Sequence, residues 1–303
     1  MKKTNKLTLF AHLAAIITLT GWGCSFLSTK VLMENGGFTP VEMFSFRFAV
    51  AYILLLAITF KKIKANNWRD ELNFLLCGVC AGSLYFITEN FALQNTTSGN
   101  VSLLASISPI FTAILMAIFF KVRITLGVAV GSILAFIGCG CIIFSHGEGL
   151  QINPMGDLLA ICAALSWATY SIAVKSLIPH YTTLFITRKL FFYGVVTSLP
   201  LLFYQTPLDT MGDHLMLLLD IHNTQYILNF LFLVVICSVT CYLLWNEVMK
   251  ILGPVTSNNY LYAQPLVTMV AAYFLLGEHI FPMGYVGCLL IVGGLIISDK
   301  VKK

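Results

Sequence analysis

Ten apolar stretches of near-membrane-spanning length, separated by short charged connections, leave this chain very few ways to fold. They run over approximately 7–29, 41–60, 72–93, 99–120, 125–144, 156–174, 184–203, 227–248, 255–276 and 284–298. About 20 consecutive apolar residues cross the hydrocarbon core of a bilayer as a helix. A helix satisfies every backbone N–H and C=O within the segment, which lipid cannot do for it. The expected fold is therefore an all-α integral membrane protein of ten transmembrane helices. Composition excludes the soluble alternative, because only 10% of residues are charged against roughly 25% in an average soluble domain. The remaining connections are too short for a separate soluble domain.

Lys and Arg recur on alternate connections. Lys2, Lys3 and Lys6 precede the first span; Lys61, Lys62, Lys64 and Arg69 follow the second; Lys121 and Arg123 follow the fourth. Lys175, Lys250 and the terminal Lys300, Lys302 and Lys303 continue the series, while Glu34, Glu148, Asp209, Asp213, Asp220 and Glu278 occupy the other face. The positive-inside rule makes the basic face cytoplasmic and places both termini there. The net charge of +5 follows this topology, so it carries no nucleic-acid signal. The first apolar run is too long for a typical signal-peptide core and reads as an uncleaved span. A multi-pass protein of the plasma (inner) membrane is expected.

The nine cysteines all lie in apolar runs, where cysteine behaves as a small hydrophobe. Cys77 and Cys80 form a C-x-x-C without a second ligand pair, so no metal is expected. Nor is any cofactor.

The chain repeats itself. Trp22 and Lys30 recur 145 residues later as Trp167 and Lys175, and Phe44 and Arg47 recur 141 later as Phe185 and Arg188. From the third span onward the offset is 156, linking Phe86 to Tyr242, Asn90 to Asn246, Pro109 to Pro265, Gly131 to Gly287 and Gly138 to Gly294. Two units are expected, residues 1–149 and 150–303. Each holds five spans, an odd number, so the second enters the membrane from the opposite side. Two inverted five-helix repeats are a common transporter plan, with the cargo site near the midplane between them.

With its duplicated motifs, the chain resembles the EamA-like branch of the drug/metabolite transporter superfamily. The resemblance rests on Gly21-Trp22-Gly23-Cys24-Ser25-Phe26 with its counterpart Leu165-Ser166-Trp167-Ala168-Thr169-Tyr170. It rests also on Pro109 and Pro265, and on Leu276-Gly277-Glu278 before the glycine-rich final span. Glu278 has no acidic counterpart, since Val122 stands 156 residues earlier. The resemblance implies efflux of amino acids and related metabolites.

A charged residue at the bilayer centre costs about 2.5–3.5 kcal/mol or more, so ionisable groups inside spans are functional candidates. Glu89, followed by Asn90, shares a helical face with Tyr85 four residues earlier; Tyr242 and Asn246, with Glu247 next, repeat that spacing. Glu89 reads as a group for a substrate ammonium or a coupling proton, or as a structural carboxylate bonded across helices. Arg47 and Arg188 read first as scaffold. Trp22 and Ser25 form a stripe matched by Trp167 and Tyr170, either a cavity wall or packing. Tyr262 and Gln264 beside Pro265, and Ser106 and Ser108 beside Pro109, border kinks that free a backbone carbonyl. The glycines of the fifth and tenth spans read as packing or dimer surfaces, which leaves a homodimer open.

The leading expectation is a secondary transporter with a small-molecule substrate. A lipid flippase or a non-transporting membrane subunit on the same fold is the alternative. An enzyme is not expected, because H-E-x-x-H and G-x-S-x-G are absent, and without a P-loop any uphill transport must draw on a gradient.

Overall fold

The computed structural model describes residues 2–60, 63–96, 98–146, 153–276 and 281–300. Among them every regular element is helical: α1 (Lys2–Lys30), α2 (Pro40–Thr59), α3 (Trp68–Gly78), α4 (Leu84–Asn95), α5 (Ser98–Ala105), α6 (Ser108–Phe120), α7 (Leu126–Ile143), α8 (Pro154–Leu177), α9 (Thr183–Gln205), α10 (Leu208–Leu219), α11 (Thr224–Leu231), α12 (Cys241–Leu252), α13 (Pro254–Asn259), α14 (Gln264–Leu276) and α15 (Pro282–Lys300). Short π and 3₁₀ segments join some of them. Nine helical stretches among the described residues are long and apolar enough to cross a membrane. The ninth apolar run of the sequence is carried by α13, a 3₁₀ turn over Tyr260–Ala263, and α14. Gly277, Glu278 and the Glu148 connection lie outside the described residues.

Local chemistry sets the helix starts. Thr39 caps α2 by accepting from the Glu42 N–H, and the Glu42 carboxylate accepts from the Thr39 N–H, a reciprocal capping box. Pro40 follows at the first helical position, where its missing N–H costs nothing. Asn153 and Thr182 cap α8 and α9 by accepting from the Gly156 and Phe185 N–H groups. Between α12 and α13 the chain turns at Gly253, whose φ of +80° suits glycine because no Cβ obstructs it.

The packing has an internal regularity. α2 lies on α9 and α7 on α15; α4 packs on α8 as α12 packs on α1; α6 packs on α8 as α14 packs on α1. Each contact maps onto another, or onto itself, when residues at the sequence offsets are exchanged. α7 and α15 show this most closely. A Cβ on Gly131 would stand 2.4 Å from the Gly294 carbonyl, and one on Gly287 would stand 2.6 Å from the Gly138 carbonyl. Two glycines per helix therefore let the antiparallel backbones touch. Irregular backbone recurs too: π-helical Val79–Ser83 precedes α4, and π-helical Phe232–Thr240 precedes α12.

Candidate functional site

The aromatic residues meet where the two halves of the chain face each other. The Trp22 ring of α1 lies 5.6 Å from Trp167 of α8, 5.5 Å from Tyr242 and 5.3 Å from Trp245, both of α12. Tyr85 of α4 closes the group at 5.6 Å from Trp167. Edge-on and tilted contacts of this kind are favoured by the ring quadrupoles. Hydrogen bonds fix the rings: Trp22 Nε1 donates to the Cys237 carbonyl at 3.0 Å, within the π-helical segment, and the Tyr242 hydroxyl donates to the Ala81 carbonyl at 3.1 Å. π-helical turns free carbonyls that neighbouring side chains can take.

On the α12 side the cluster is sealed by polar pairs. The Tyr170 hydroxyl donates to Asn246 Oδ1 at 2.8 Å, and Asn246 Nδ2 donates to Thr187 Oγ1 at 2.9 Å. Trp167 Nε1 donates to Asn258 Oδ1 at 2.9 Å, while Asn258 Nδ2 donates to Ser171 Oγ at 2.9 Å. All these groups are buried, and each donor and acceptor that burial strips of water is answered.

On the α4 side the arrangement is looser. Tyr85 donates to Glu89 Oε1 at 2.9 Å, leaving Oε2 without a protein partner among the described residues. Asn90 makes no side-chain hydrogen bond there either, and Ser25 bonds only the Trp22 carbonyl of its own helix, at 2.7 Å. Arg47 lies over the rings of Phe86 and Phe48, at 4.7 and 5.5 Å. It is an electrostatic neighbour of Glu89, Tyr85 and Tyr242, yet no ion pair within 4 Å joins it to Glu89.

Several matched positions around the cluster differ in burial. Trp22, Ser25, Arg47, Phe86, Glu89 and Asn90 are all half-buried. Their counterparts Trp167, Tyr170, Arg188, Tyr242, Trp245 and Asn246 are buried, none exposed by more than 7%. One half of the cluster is sealed and the other retains accessible surface.

Of the residues expected from sequence, Trp22, Tyr85, Glu89, Trp167, Tyr170, Tyr242 and Asn246 come together, with Ser25 and Asn90 on flanking turns. Tyr262 does not join them. It is buried against Ala135, Cys139 and Ile291, where its carbonyl accepts from the Cys139 thiol. Gln264 opens α14, half-buried and without a side-chain hydrogen bond among the described residues. Glu247 turns away, taking bonds from Thr183 and Lys250. Sequence reasoning missed Trp245 and Asn258. Trp245 was within reach, because it stands 156 residues after Glu89. No group of three or more His, Cys, Asp or Glu able to hold a metal occurs among the described residues. A separate cavity of about 330 Å³ lies between the end of α2 and the α8–α9 turn, lined by Thr59, Tyr181 and Phe185 among others. Its Thr59 is already held by Arg188.

Comparison with known proteins bears on what this geometry serves. The model of the EamA-like transporter family matches the chain twice, over residues 9–144 and 154–298. An uncharacterized transporter of Archaeoglobus fulgidus is 28% identical, with 93% of this chain and 95% of the relative covered. A probable terminal-alkyne amino-acid exporter of Streptantibioticus cattleyicolor is 27% identical, covering 95% and 92%. A probable amino-acid metabolite efflux pump of Escherichia coli is 24% identical, covering 94% and 93%. A solved crystal structure superposes with a TM-score of 0.76 at 17% identity, covering 97% of this chain and 96% of the other, which is a likeness of fold.

Proposed function

The chain belongs to the EamA-like transporter family, and we propose that it is a secondary carrier of the plasma membrane that exports amino acids or related small metabolites by alternating access. On this reading ten spans form two inverted five-helix repeats, 1–149 and 150–303, with both termini cytoplasmic. The paired packing, the antiparallel α7–α15 contact and the recurrence of π-helical backbone all support the inversion. So does the ninth run, which breaks at Tyr260–Ala263 just before Pro265, as the fourth breaks between α5 and α6 just before Pro109.

One observation carries the proposal: the matched residues around the aromatic cluster are half-buried in the first repeat and buried in the second. A carrier open on one side of its site and shut on the other has this asymmetry, and an exchange of the two repeats' conformations inverts it. With basic connections cytoplasmic, the open half faces outward. The proposed cargo site comprises Trp22, Ser25, Tyr85, Glu89, Asn90, Trp167, Tyr170, Tyr242 and Asn246, with Trp245 added; Tyr262 and Gln264 belong to the hinge beside Pro265.

The test is counterflow of labelled amino acids in proteoliposomes. Saturable exchange that is lost in Trp22→Ala supports a carrier with its site between the repeats. Absence of exchange for every amino acid and small metabolite offered, with folded protein in the bilayer, defeats the proposal.

A further inference from the structure

Arg47 and its counterpart Arg188 are treated differently by the protein. Arg188 is buried and donates to the Thr59 carbonyl at 2.6 Å and to Thr59 Oγ1 at 2.9 Å. It closes the end of α2. Arg47 makes no hydrogen bond or ion pair among the described residues. Its Nε is buried with no partner, while the residue as a whole keeps accessible surface. A guanidinium has five donors in a planar fork. Here the rings of Phe86 and Phe48 support its charge, but nothing takes its hydrogen bonds.

Glu89 is the complementary case. Tyr85 holds one carboxylate oxygen and fixes its direction, and the second oxygen has no partner among the described residues. The two charges act on each other, yet no ion pair within 4 Å joins them. Beside them stand Trp22, Tyr242 and Trp245, and the Trp245 indole N–H is buried with no acceptor. A cation with an open fork, an anion with an open oxygen and an aromatic wall are three features that one ligand class combines.

We propose that Arg47 and Glu89 are the two poles of a zwitterion site, Arg47 taking the carboxylate and Glu89 the ammonium of an α-amino acid whose large apolar or aromatic side chain lies on the Trp22–Trp245 wall. This rests on the carrier reading and sharpens it. The fork geometry gives Arg47 its selectivity, because a carboxylate accepts two parallel N–H bonds from guanidinium and a lysine ammonium cannot supply them. Arg47 is thus a specificity-determining residue, although its recurrence as Arg188 suggested scaffold.

The test uses the purified full chain and three probes: phenylalanine, 2-phenylethylamine, which lacks the carboxylate, and 3-phenylpropionate, which lacks the ammonium. Binding is read from intrinsic tryptophan fluorescence and from thermal stabilisation. The wild type is expected to bind phenylalanine at least tenfold more tightly than either analogue, a comparison that needs no variant. Arg47→Gln should lose tenfold or more for phenylalanine while leaving the amine unchanged, and Glu89→Gln should do the mirror image with the acid. Arg47→Lys keeps the charge and should recover only part of the loss. A folded Arg47→Gln protein that still prefers phenylalanine to the amine overturns the assignment, as does a wild type that binds all three equally or none. Counterflow of phenylalanine separates the two readings. Discrimination in binding without any counterflow removes the carrier and keeps the site, whereas counterflow indifferent to Arg47→Gln keeps the carrier and removes the site.

Discussion

Asn90 and Asn246 hold equivalent places in the two halves, and their surroundings give them different work. Asn246 is fully buried and bonded on both sides, by Tyr170 and to Thr187. Removing the Tyr170 hydroxyl leaves the Asn246 carbonyl oxygen unpaired in the interior, at a cost of about 1–3 kcal/mol. Tyr170→Phe should therefore lower unfolding stability in a denaturant titration by about that amount, and an unchanged midpoint would remove the seal from the account. Asn90 is half-buried with nothing to lose, so Asn90→Ala should leave the same midpoint in place while weakening transport. The sequence made most of this cluster legible, because Trp22, Tyr85, Glu89, Trp167, Tyr170, Tyr242 and Asn246 are polar or aromatic groups inside apolar runs. It could not say which faces met. A span apolar towards both lipid and protein has no amphipathic stripe to mark its inner side. That is why Tyr262 was grouped with the site although it packs against α7, and why Asn258, near the start of a run, went unnoticed.

At the scale of elements, apolar length matches nine helical stretches among the described residues that are long enough to cross a membrane, and it said nothing of their breaks. The π-helical turns at Val79–Ser83 and Phe232–Thr240 pack against α9 and against α1 and α2 respectively, contacts that no local pattern encodes. The connection at 204–226 contains α10, and His214 of that helix bonds the buried Glu42 at 2.8 Å. The prolines were the readable part: Pro109 and Pro265 each follow a break. If those breaks are hinges, Pro109→Ala with Pro265→Ala should slow counterflow severalfold while leaving phenylalanine binding intact, and equal loss of both would make the prolines structural. Glycine contacts allow a stricter test. A side chain on Gly131 would strike the Gly294 backbone, whereas a Cβ on Gly293 would meet nothing within 4 Å. Overpacking costs about 1–3 kcal/mol or more, so Gly131→Leu should reduce the yield of monodisperse protein sharply. Gly293→Leu should not, and equal yields would argue against the α7–α15 contact.

For the molecule as a whole, the proposed inversion makes a claim about access that no single site can make. If the repeats exchange conformations, Ser25 and Asn90 should be reachable from outside while Tyr170 and Asn246 are shut, and the reverse should hold when the carrier faces inward. Cys24, Cys141, Cys162 and Cys288 are half-buried and the other five cysteines are buried. Replacing those four by Ala therefore gives a quiet background for single-cysteine labelling. In that background a membrane-impermeant maleimide applied to intact cells should modify Ser25→Cys and Asn90→Cys. It should reach Tyr170→Cys and Asn246→Cys only from the cytoplasmic side, in inverted vesicles. Each tenfold ratio of labelling rates reports about 1.4 kcal/mol between the open and shut states if opening precedes modification. Phenylalanine should narrow that ratio only if it binds the inward-facing state more tightly, since a ligand shifts populations only as far as its affinities differ. Labelling of all four positions from one side would place them in a single vestibule, and neither the inverted repeat nor alternating access would then account for the buried and open halves of the cluster.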